Sequence, residues 1–221
     1  MKILVVGTER DFEEFENKFG IDHDLTLDTR YQFQSTFASF DLVFDFFIGD
    51  DPELFSNYVG LEGVTLFINI PKISLTELSF FHNNDLEIKI FGFNGLPTFI
   101  NREVLEVSLL DKAHESDLNA LCGELKTQYQ VVKDRVGMVT PRIICMIINE
   151  AFYTVQEGTT TEEDIDQGMK LGTNYPHGPF EWCNMIGIHN VYELLEALFE
   201  DTKEERYKIC PALKSAYLKG H

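Results

Sequence analysis

Residues 132–158 read VKDRVGMVTPRIICMIINEAFYTVQEG, and residues 164–187 read DIDQGMKLGTNYPHGPFEWCNMIG. Between positions 141 and 156 the first stretch would form a helix that is apolar on nearly every side, as in Ile143, Ile147 and Val155. A helix of this kind is normally buried in a large core or in an interface. The second stretch is dense in residues that begin and end helices. Together the two stretches predict an all-helical domain built around a buried central helix.

Downstream of the apolar helix the pattern stays helical to the last residue. Thr160 with Glu163 predicts a capping box at a helix start, and Gly172 predicts the end of that helix. Pro179 and Gly187 predict the first turn and the end of the next helix. No strand pattern interrupts this part of the chain.

Upstream of the apolar helix, short apolar runs alternate with polar or amphipathic segments. The runs read as strands at 2–6, 23–28, 41–47, 63–69, 86–94, 103–110 and 128–133. The run at 103–110 alternates and contains branched residues, which is typical of an edge strand. Strands that alternate with helices predict an α/β fold. We therefore expect a shortened Rossmann-like, doubly wound and mostly parallel sheet over residues 1–134, followed by an all-α domain over 135–221.

The first strand, turn and helix have the order of a dinucleotide-binding unit. Gly7 ends the first strand, and Asp28 follows at close to the ~20 residues expected for a ribose-binding acid. These two residues are the candidate cofactor ligands. The turn itself departs from Gly-x-Gly-x-x-Gly, because Glu9 and Phe12 replace the second and third glycines. A carboxylate at a helix start occupies the place of a bound phosphate, so we expect no cofactor.

The chain resembles the 3-hydroxyacyl-CoA dehydrogenase family, particularly its 3-hydroxybutyryl-CoA dehydrogenases. The resemblance is carried by VKDRVG at 132–137, IINEA at 147–151 and TEEDIDQGMKLGTNYPHGPFEW at 161–182. The front half matches in outline through INIPKISLTEL at 68–78 and FGFNGLPTFINREVLEV at 91–107. Residues 1–40 leave little room for the helical hairpin with which the family helps to hold CoA.

The resemblance implies hydride transfer between NAD and the 3-hydroxyl carbon of an acyl-CoA. In the family a histidine removes the hydroxyl proton, a glutamate orients it, and a serine and an asparagine position the substrate and the histidine. Phe91, Pro71 and Pro141 stand at the histidine, serine and asparagine positions. Phenylalanine and proline side chains cannot relay a proton. Glu103 is the retained glutamate in an ungapped alignment, and Glu106 is the competitor if a short insertion is allowed.

Charge and composition exclude several classes of partner. The net charge of −19 repels phosphate backbones, which argues against nucleic-acid binding. No apolar run approaches the ~20 residues that a membrane helix needs, and the start lacks a signal-peptide pattern. We therefore expect a cytoplasmic protein without a membrane partner. The four cysteines form no CxxC and the six histidines show no paired spacing, which predicts no metal site.

Three functions are compatible with these residues. The first is a non-catalytic or regulatory homodimer, paired through residues 135–221 and linked to fatty acid and acyl-CoA metabolism, with an acyl-CoA-type ligand and no cofactor. The alternative is an active NAD-dependent 3-hydroxyacyl-CoA dehydrogenase with a non-standard site. A third is a purely structural homo-oligomer, which the apolar helix at 141–156 suggests. We favour the first, because the cofactor turn and three of the family's catalytic positions are changed.

Overall fold

The structure is a computed structural model that describes residues 1–20, 22–81 and 88–220. The chain divides into two compact units, Met1–Met138 and Val139–His221. The first is an α/β unit and the second is helical. The division falls shortly after position 134, where the sequence pattern places the boundary.

A single sheet of seven strands forms the centre of the α/β unit in the described chain. The strands are β1 (Lys2–Val6), β2 (Asp24–Asp28), β3 (Leu42–Asp45), β4 (Thr65–Asn69), β5 (Lys89–Phe93), β6 (Val104–Leu109) and β7 (Gln128–Val131). They lie in the order β2-β1-β3-β4-β5-β6-β7. All neighbouring pairs are parallel except β5 with β6. The predicted mostly parallel, Rossmann-like sheet is confirmed.

The predicted edge position of residues 103–110 is wrong. β6 pairs with β5 on one side and with β7 on the other, so β7 forms that edge of the sheet. The alternating pattern was misleading because β6 is the antiparallel member of the sheet and its two faces differ in burial, as for Leu105 and Glu106. The predicted strand over 86–94 is observed as β5, and its positions 86 and 87 lie outside the described residues.

Both faces of the sheet are covered, which explains why the central strands read as continuous apolar runs. One face packs against α1 (Glu9–Phe19) and α3 (Glu115–Glu124), whose Phe15 and Leu118 are fully buried. The other face packs against α2 (Leu75–Phe81) and two 3-10 segments, Gln34–Ser39 and Pro52–Tyr58.

The helical unit contains five α-helices in the described residues. They are α4 (Thr140–Gln156), α5 (Glu162–Thr173), α6 (Pro179–Ile186), α7 (Ile188–Thr202) and α8 (Pro211–Lys219), with a 3-10 turn at Glu205–Tyr207. The apolar α4 packs against the other four helices. Asn149 of α4 is buried, donates to the Lys208 carbonyl at 2.9 Å and accepts from the Cys210 amide at 2.8 Å. These bonds tie α4 to the start of α8.

Two predicted helix boundaries in this unit are corrected. α5 is capped by Thr161, whose hydroxyl accepts from the Asp164 amide at 3.2 Å, instead of by Thr160 with Glu163. The cap lies one residue later because three successive threonines offer the same hydroxyl. α5 also continues past Gly172 and ends at Asn174, which adopts a left-handed conformation with φ of 57°. Asn tolerates that conformation almost as well as glycine.

Candidate functional site at the carboxyl edge of the sheet

The carboxyl ends of β2, β1 and β3 form the place where an open α/β sheet usually binds a ligand. β1 lies between β2 and β3, and the chain leaves β1 towards β2, so the strand order reverses here. Ligands bind in the crevice outside such a switch point. In the strand register Val6 is paired with Asp28 on one side and with Asp45 on the other. Two acids therefore flank the last residue of β1.

The turn after β1 is closed by a capping box. The Asp11 carboxylate accepts from the Thr8 amide at 2.8 Å and from the Thr8 hydroxyl at 2.7 Å, and the Asp11 amide donates to that hydroxyl at 3.2 Å. The sequence pattern placed the carboxylate of Glu9 at this helix start, and Glu9 lies in the same first turn. The capping box is formed by Thr8 and Asp11, because a side chain three residues after the N-cap residue can reach back to its amide.

The space beside Gly7 is correspondingly small. A Cβ atom added there would lie 3.1 Å from Asp11 Cβ and 3.3 Å from Phe46 Cβ. The start of α1 thus carries the carboxylates of Glu9 and Asp11, where a nucleotide site presents free amides to phosphate. These groups do not suit a pyrophosphate.

Asp28 is buried and its carboxylate is held by the chain that follows it. Oδ1 accepts from the Arg30 and Gln32 amides at 2.9 Å each, and Oδ2 accepts from the Phe33 amide at 2.9 Å. A ribose-binding acid must offer its oxygens to hydroxyl groups of the ligand. The Asp28 oxygens are instead used to form the loop at 29–33.

Asp45 is a buried acid at this edge that sequence reasoning missed. Oδ1 accepts from the Phe47 and Ile48 amides at 2.8 and 3.2 Å, and Oδ2 accepts from the Tyr31 and Tyr58 hydroxyls at 2.8 Å each. Burial raises the pKa of Asp45 to about 6, and the four hydrogen bonds act in the opposite direction. An acid inside the apolar run at 41–47 was the available signal, because a buried acid needs such partners.

Phenylalanine rings fill the sheet beside the positions that correspond to the family's catalytic residues. Phe91 is fully buried on β5, with its ring centroid 5.0 Å from that of Phe67. Phe93 packs edge-on against Phe46 at 5.1 Å. Pro71 is also buried, and its carbonyl accepts from the Gly137 amide at 2.6 Å. These residues form packed core and leave no titratable group at either position.

Polar groups remain at the ends of β4 and β5. Asn69 is buried, and its Oδ1 accepts from the Gly95 amide at 2.8 Å. Its carbonyl oxygen would lie 2.3 Å from a Cβ added at Gly49. Asn69 therefore joins the turn after β5 to the turn after β3. This is a structural role that fixes the edge of the sheet.

The two candidate glutamates lie apart from Phe91. Glu103 is exposed just before β6, and its Oε1 accepts from Gln128 Nε2 at 3.4 Å. Glu106 lies within β6, next to Val107, which pairs with Phe93. Because side chains alternate along a strand, Glu106 points to the opposite face of the sheet from Phe93 and Phe91. The structure brings neither glutamate into contact with the ring at position 91.

The helical unit contributes a groove along α4. Pro141 is buried in the first turn of α4 and carries no polar side chain. Beyond it lies an open groove of about 380 Å³, lined by Arg142, Ile143, Met146, Ile147, Glu150, Arg206 and Tyr207. Arg142 Nη1 donates to the Tyr207 hydroxyl at 2.9 Å, and the Arg206 guanidinium lies over the Tyr207 ring at 4.8 Å.

Residues 1–20, 22–81 and 88–220 contain neither a metal-binding cluster nor a membrane-spanning helix. No group of three or more His, Cys, Asp or Glu side chains is arranged to hold a metal ion there. No helix in the same residues has the length and apolar character needed to cross a membrane. The four cysteines are buried free thiols, and burial raises the pKa of Cys122 to about 11.

Sequence comparison with known proteins matches the chain to 3-hydroxyacyl-CoA dehydrogenases. Residues 137–221 match the model of the 3-hydroxyacyl-CoA dehydrogenase C-terminal domain. The chain is 40% identical over 108 residues to 3-hydroxyadipyl-CoA dehydrogenase of Escherichia coli (strain K12), covering 49% of this chain and 22% of that protein. It is 30% identical over 153 residues to a probable 3-hydroxybutyryl-CoA dehydrogenase of Bacillus subtilis (strain 168), covering 69% and 53%. The chain thus spans about half or less of these relatives.

Solved structures give the same fold. The (S)-3-hydroxybutyryl-CoA dehydrogenase PaaH1 from Ralstonia eutropha matches with a TM-score of 0.74 and 20% identity, covering 99% of this chain and 94% of that chain. FadB2 of M. tuberculosis matches with a TM-score of 0.77 and 18% identity, covering 99% and 93%.

Proposed function

The chain belongs to the 3-hydroxyacyl-CoA dehydrogenase family, and within that family we propose that it is a non-catalytic or regulatory member without NAD-dependent hydride transfer. The observation that carries the proposal is the environment of Phe91, which stands at the position of the family's histidine. Its ring packs against that of Phe67 and has no exposed surface. The family's base is therefore replaced by part of the hydrophobic core.

The neighbouring positions support the same proposal. Pro71 and Pro141 lack the hydroxyl and amide that would position a substrate. Glu103 is exposed and bonded to Gln128, so it has no base to orient. Hydride transfer from a hydroxyl carbon requires removal of the hydroxyl proton, and neither proline supplies a group for that step.

The residues at the carboxyl ends of β1 and β2 also argue against binding of NAD. The start of α1 uses Asp11 as its cap, and Asp28 is held by the amides of its own loop. A pyrophosphate would have to displace the Asp11 carboxylate and would meet the charge of Glu9. Since these residues do not fit the cofactor, hydride transfer to NAD has no place in the proposed function.

An active NAD-dependent 3-hydroxyacyl-CoA dehydrogenase is the competing function. The observation in its favour is that the relatives with detectable sequence identity are named as dehydrogenases of 3-hydroxyacyl-CoA substrates. This alternative needs a non-standard base, and Glu103 is the candidate.

The deciding experiment measures NADH formation by the full chain with a panel of 3-hydroxyacyl-CoAs. NAD binding is measured in parallel by calorimetry, and the Bacillus subtilis relative serves as a positive control. We expect neither turnover nor NAD binding. Turnover comparable to that of the control would overturn the proposal. If turnover is found, Glu103→Gln is compared with Glu124→Gln, and loss of activity in the former alone supports Glu103 as the base.

We propose that the protein acts as a homodimer that pairs through the groove on α4. Val139 and Ile143 are 46% and 54% exposed, although both are large apolar residues. Together with Met146 and Ile147 they form an apolar stripe along one side of α4, whose opposite side is buried at Ile144, Cys145 and Ile148. An uncovered stripe of this kind is typical of a helix that packs against a partner.

The charges of the groove favour a second copy of the chain as the occupant. Arg142 and Arg206 line the groove together with Glu150. In a twofold interface each contact occurs twice with the roles exchanged, so a self-pairing surface must carry both signs of charge. In an antiparallel pairing of two α4 helices, Arg142 of one copy lies near Glu150 of the other.

Light scattering of matched variants tests the pairing. Ile143→Glu places a charge in the groove and should give a monomer at micromolar concentration. Leu171→Glu makes the same change at a 79% exposed position of α5 and should leave the dimer intact. A wild-type monomer, or a dimer that persists in Ile143→Glu, would contradict the proposed interface at α4. Neither result would bear on whether the protein is catalytic.

An acyl-CoA-type ligand, with a place in fatty acid metabolism, is the remaining part of the proposal. It is supported by the family alone. A thermal-shift series with NAD, CoA and acyl-CoAs tests it, because a ligand that binds only the folded state must raise the melting temperature. We expect a shift with an acyl-CoA and none with NAD. If no CoA compound shifts the transition, this part of the proposal fails.

A further inference from the structure

The Tyr31 side chain connects the loop after β2 with the carboxyl end of β3, across the strand β1 that lies between them. It belongs to the loop at 29–33 after β2, and its hydroxyl donates to Asp45 at the end of β3 at 2.8 Å. β1 lies between β2 and β3, so this bond spans the switch point of the sheet. Tyr31 also packs against the rings of Phe47 and Tyr58, with centroids 6.3 Å away in both cases.

The backbone of Tyr31 shows that the loop is held in this shape. Its φ is 55°, in the left-handed region that non-glycine residues seldom adopt. Asp28 accepts from the amides of residues 30, 32 and 33, which leaves the Tyr31 side chain as the part of the loop that reaches β3. Such strained conformations persist only where surrounding contacts impose them.

We propose that Tyr31 is a strap over the carboxyl end of β1, and that protonation of Asp45 releases it. The strap fixes the 29–33 loop beside the crevice in which this fold admits a ligand. It is independent of whether the protein turns over a substrate.

The number and direction of the hydrogen bonds of Asp45 explain why proton uptake releases the Tyr31 strap. A carboxylate only accepts, and its two oxygens here receive four donors. When Asp45 takes up a proton, the new hydroxyl must donate, and it faces donors on every side. One tyrosine hydroxyl must then turn to accept from Asp45 and send its own hydrogen elsewhere, so a charge-assisted hydrogen bond is replaced by a neutral one of roughly half the strength. Tyr58 has no exposed surface, whereas Tyr31 is only partly buried and can turn towards water.

The groups around Asp45 come from three elements. Tyr31 lies on the loop after β2, Tyr58 on the 3-10 segment after β3, and Asp28 and Asp51 act electrostatically on Tyr31. None of the charged side chains in this set is basic, and the four hydrogen bonds hold the pKa of Asp45 down against the effect of burial. Burial raises its pKa to about 6, within the range of cellular acidification.

Hydrogen exchange of the full chain measures the strap directly. Exchange is followed at about pH 7.5 and about pH 5, corrected for the intrinsic rate, since ordinary carboxyl groups remain ionised at both values. Residues 29–33 should lose protection severalfold at the lower pH, whereas the segment Pro52–Tyr58 should keep it. Equal protection of the loop at both pH values would overturn the proposal, as would a uniform loss across the α/β unit.

Two variants distinguish an effect of the Tyr31 hydroxyl from an effect of acids other than Asp45. Tyr31→Phe removes the hydroxyl, so the loop should exchange rapidly and equally at both pH values. A loop that is still pH-dependent in Tyr31→Phe would assign the effect to Asp28 and contradict the proposal. Tyr129→Phe removes a hydroxyl bonded to Asn119 on the far side of the sheet and should behave as the wild type.

Discussion

The Asp11 carboxylate accepts a hydrogen bond from the Thr8 amide at 2.8 Å, at the point where the chain leaves the first strand of the sheet. In a nucleotide-binding fold this helix start offers its amides to phosphate. Here the Asp11 carboxylate, three residues after Thr8, takes the place of that phosphate. The turn therefore keeps its structural role, because a side chain of the helix accepts from the amide that a phosphate would otherwise bind.

The first prediction concerns this cap. Asp11→Ala removes the acceptor of the Thr8 amide and should lower the free energy of unfolding by about 1 kcal/mol. Urea denaturation measures the change. Glu13→Ala, at an exposed position of the same helix, should change stability by less than ~0.5 kcal/mol. Equal effects in the two variants would show that the cap contributes no stability.

The second prediction concerns Phe91. Phe91→His restores the family's histidine, but its ring nitrogens would be buried without partners, so stability should fall by roughly 2–4 kcal/mol. Phe91→Leu keeps the position apolar and should cost only about 1 kcal/mol. No NADH formation should appear in the His variant, since the cofactor turn is unchanged. A His variant as stable as the Leu variant would mean that this site is more open than the packing indicates.

The third prediction concerns Asp166 in the helical unit. Its two carboxylate oxygens accept from the Phe180 and Glu181 amides at 2.8 and 3.0 Å, at the start of α6. Asp166→Ala leaves both amides without this partner and should cost about 2–3 kcal/mol. The neighbouring exposed change Gln167→Ala is the control. Chemical denaturation followed by Trp182 fluorescence reports on this unit, because Trp182 lies in α6.

The fourth prediction concerns pH. The pKa of Asp45 is raised to about 6 in the folded state by burial, whereas an unfolded Asp titrates near ~3.9. Between these values the folded protein holds a proton that the unfolded chain has released, so the contribution of Asp45 to stability falls as pH rises. Relative to Asp45→Asn, the wild type should gain up to about 3 kcal/mol between pH 7 and pH 4.

Urea denaturation of both proteins across this pH range gives the difference curve, in which the other acids cancel. A flat difference would show that Asp45 titrates normally. The gain in global stability is compatible with release of the strap, because proton uptake relieves a buried charge while the hydrogen bond that holds the 29–33 loop becomes weaker.

Much of the fold could be predicted from the sequence because the local signals agree with the tertiary structure. The apolar runs of β1, β3 and β4 are buried on both faces of the sheet, so each reads as a strand. Pro179 and Gly187 bound α6 as predicted. The position of β6 inside the sheet was not predictable, since strand order depends on contacts between distant segments.

The candidate site was less accessible to sequence reasoning. Glu103, Gly7 and Asp28 remain predictions as functional residues, although the hydrogen bonds of Asp28 are all to its own loop. Asp45 could be noticed as an acid in an apolar run, but its partners Tyr31 and Tyr58 lie 14 and 13 residues away. Such pairings arise only when the loop folds back over the sheet.

The sequence carried a resemblance to the family, predicted a two-part organisation and showed that no proton-transferring side chain stands at Phe91, Pro71 or Pro141. Residue types carry that information because side-chain chemistry does not depend on the fold. The folded arrangement was needed to show which oxygen meets which donor. It revealed Asp11 as the partner of Thr8 in the cap of α1, Asp28 as the acceptor of the amides of its loop and Asp45 as the acceptor of Tyr31. The reason is that a hydrogen bond depends on the distance and direction between two groups, which only the folded backbone determines.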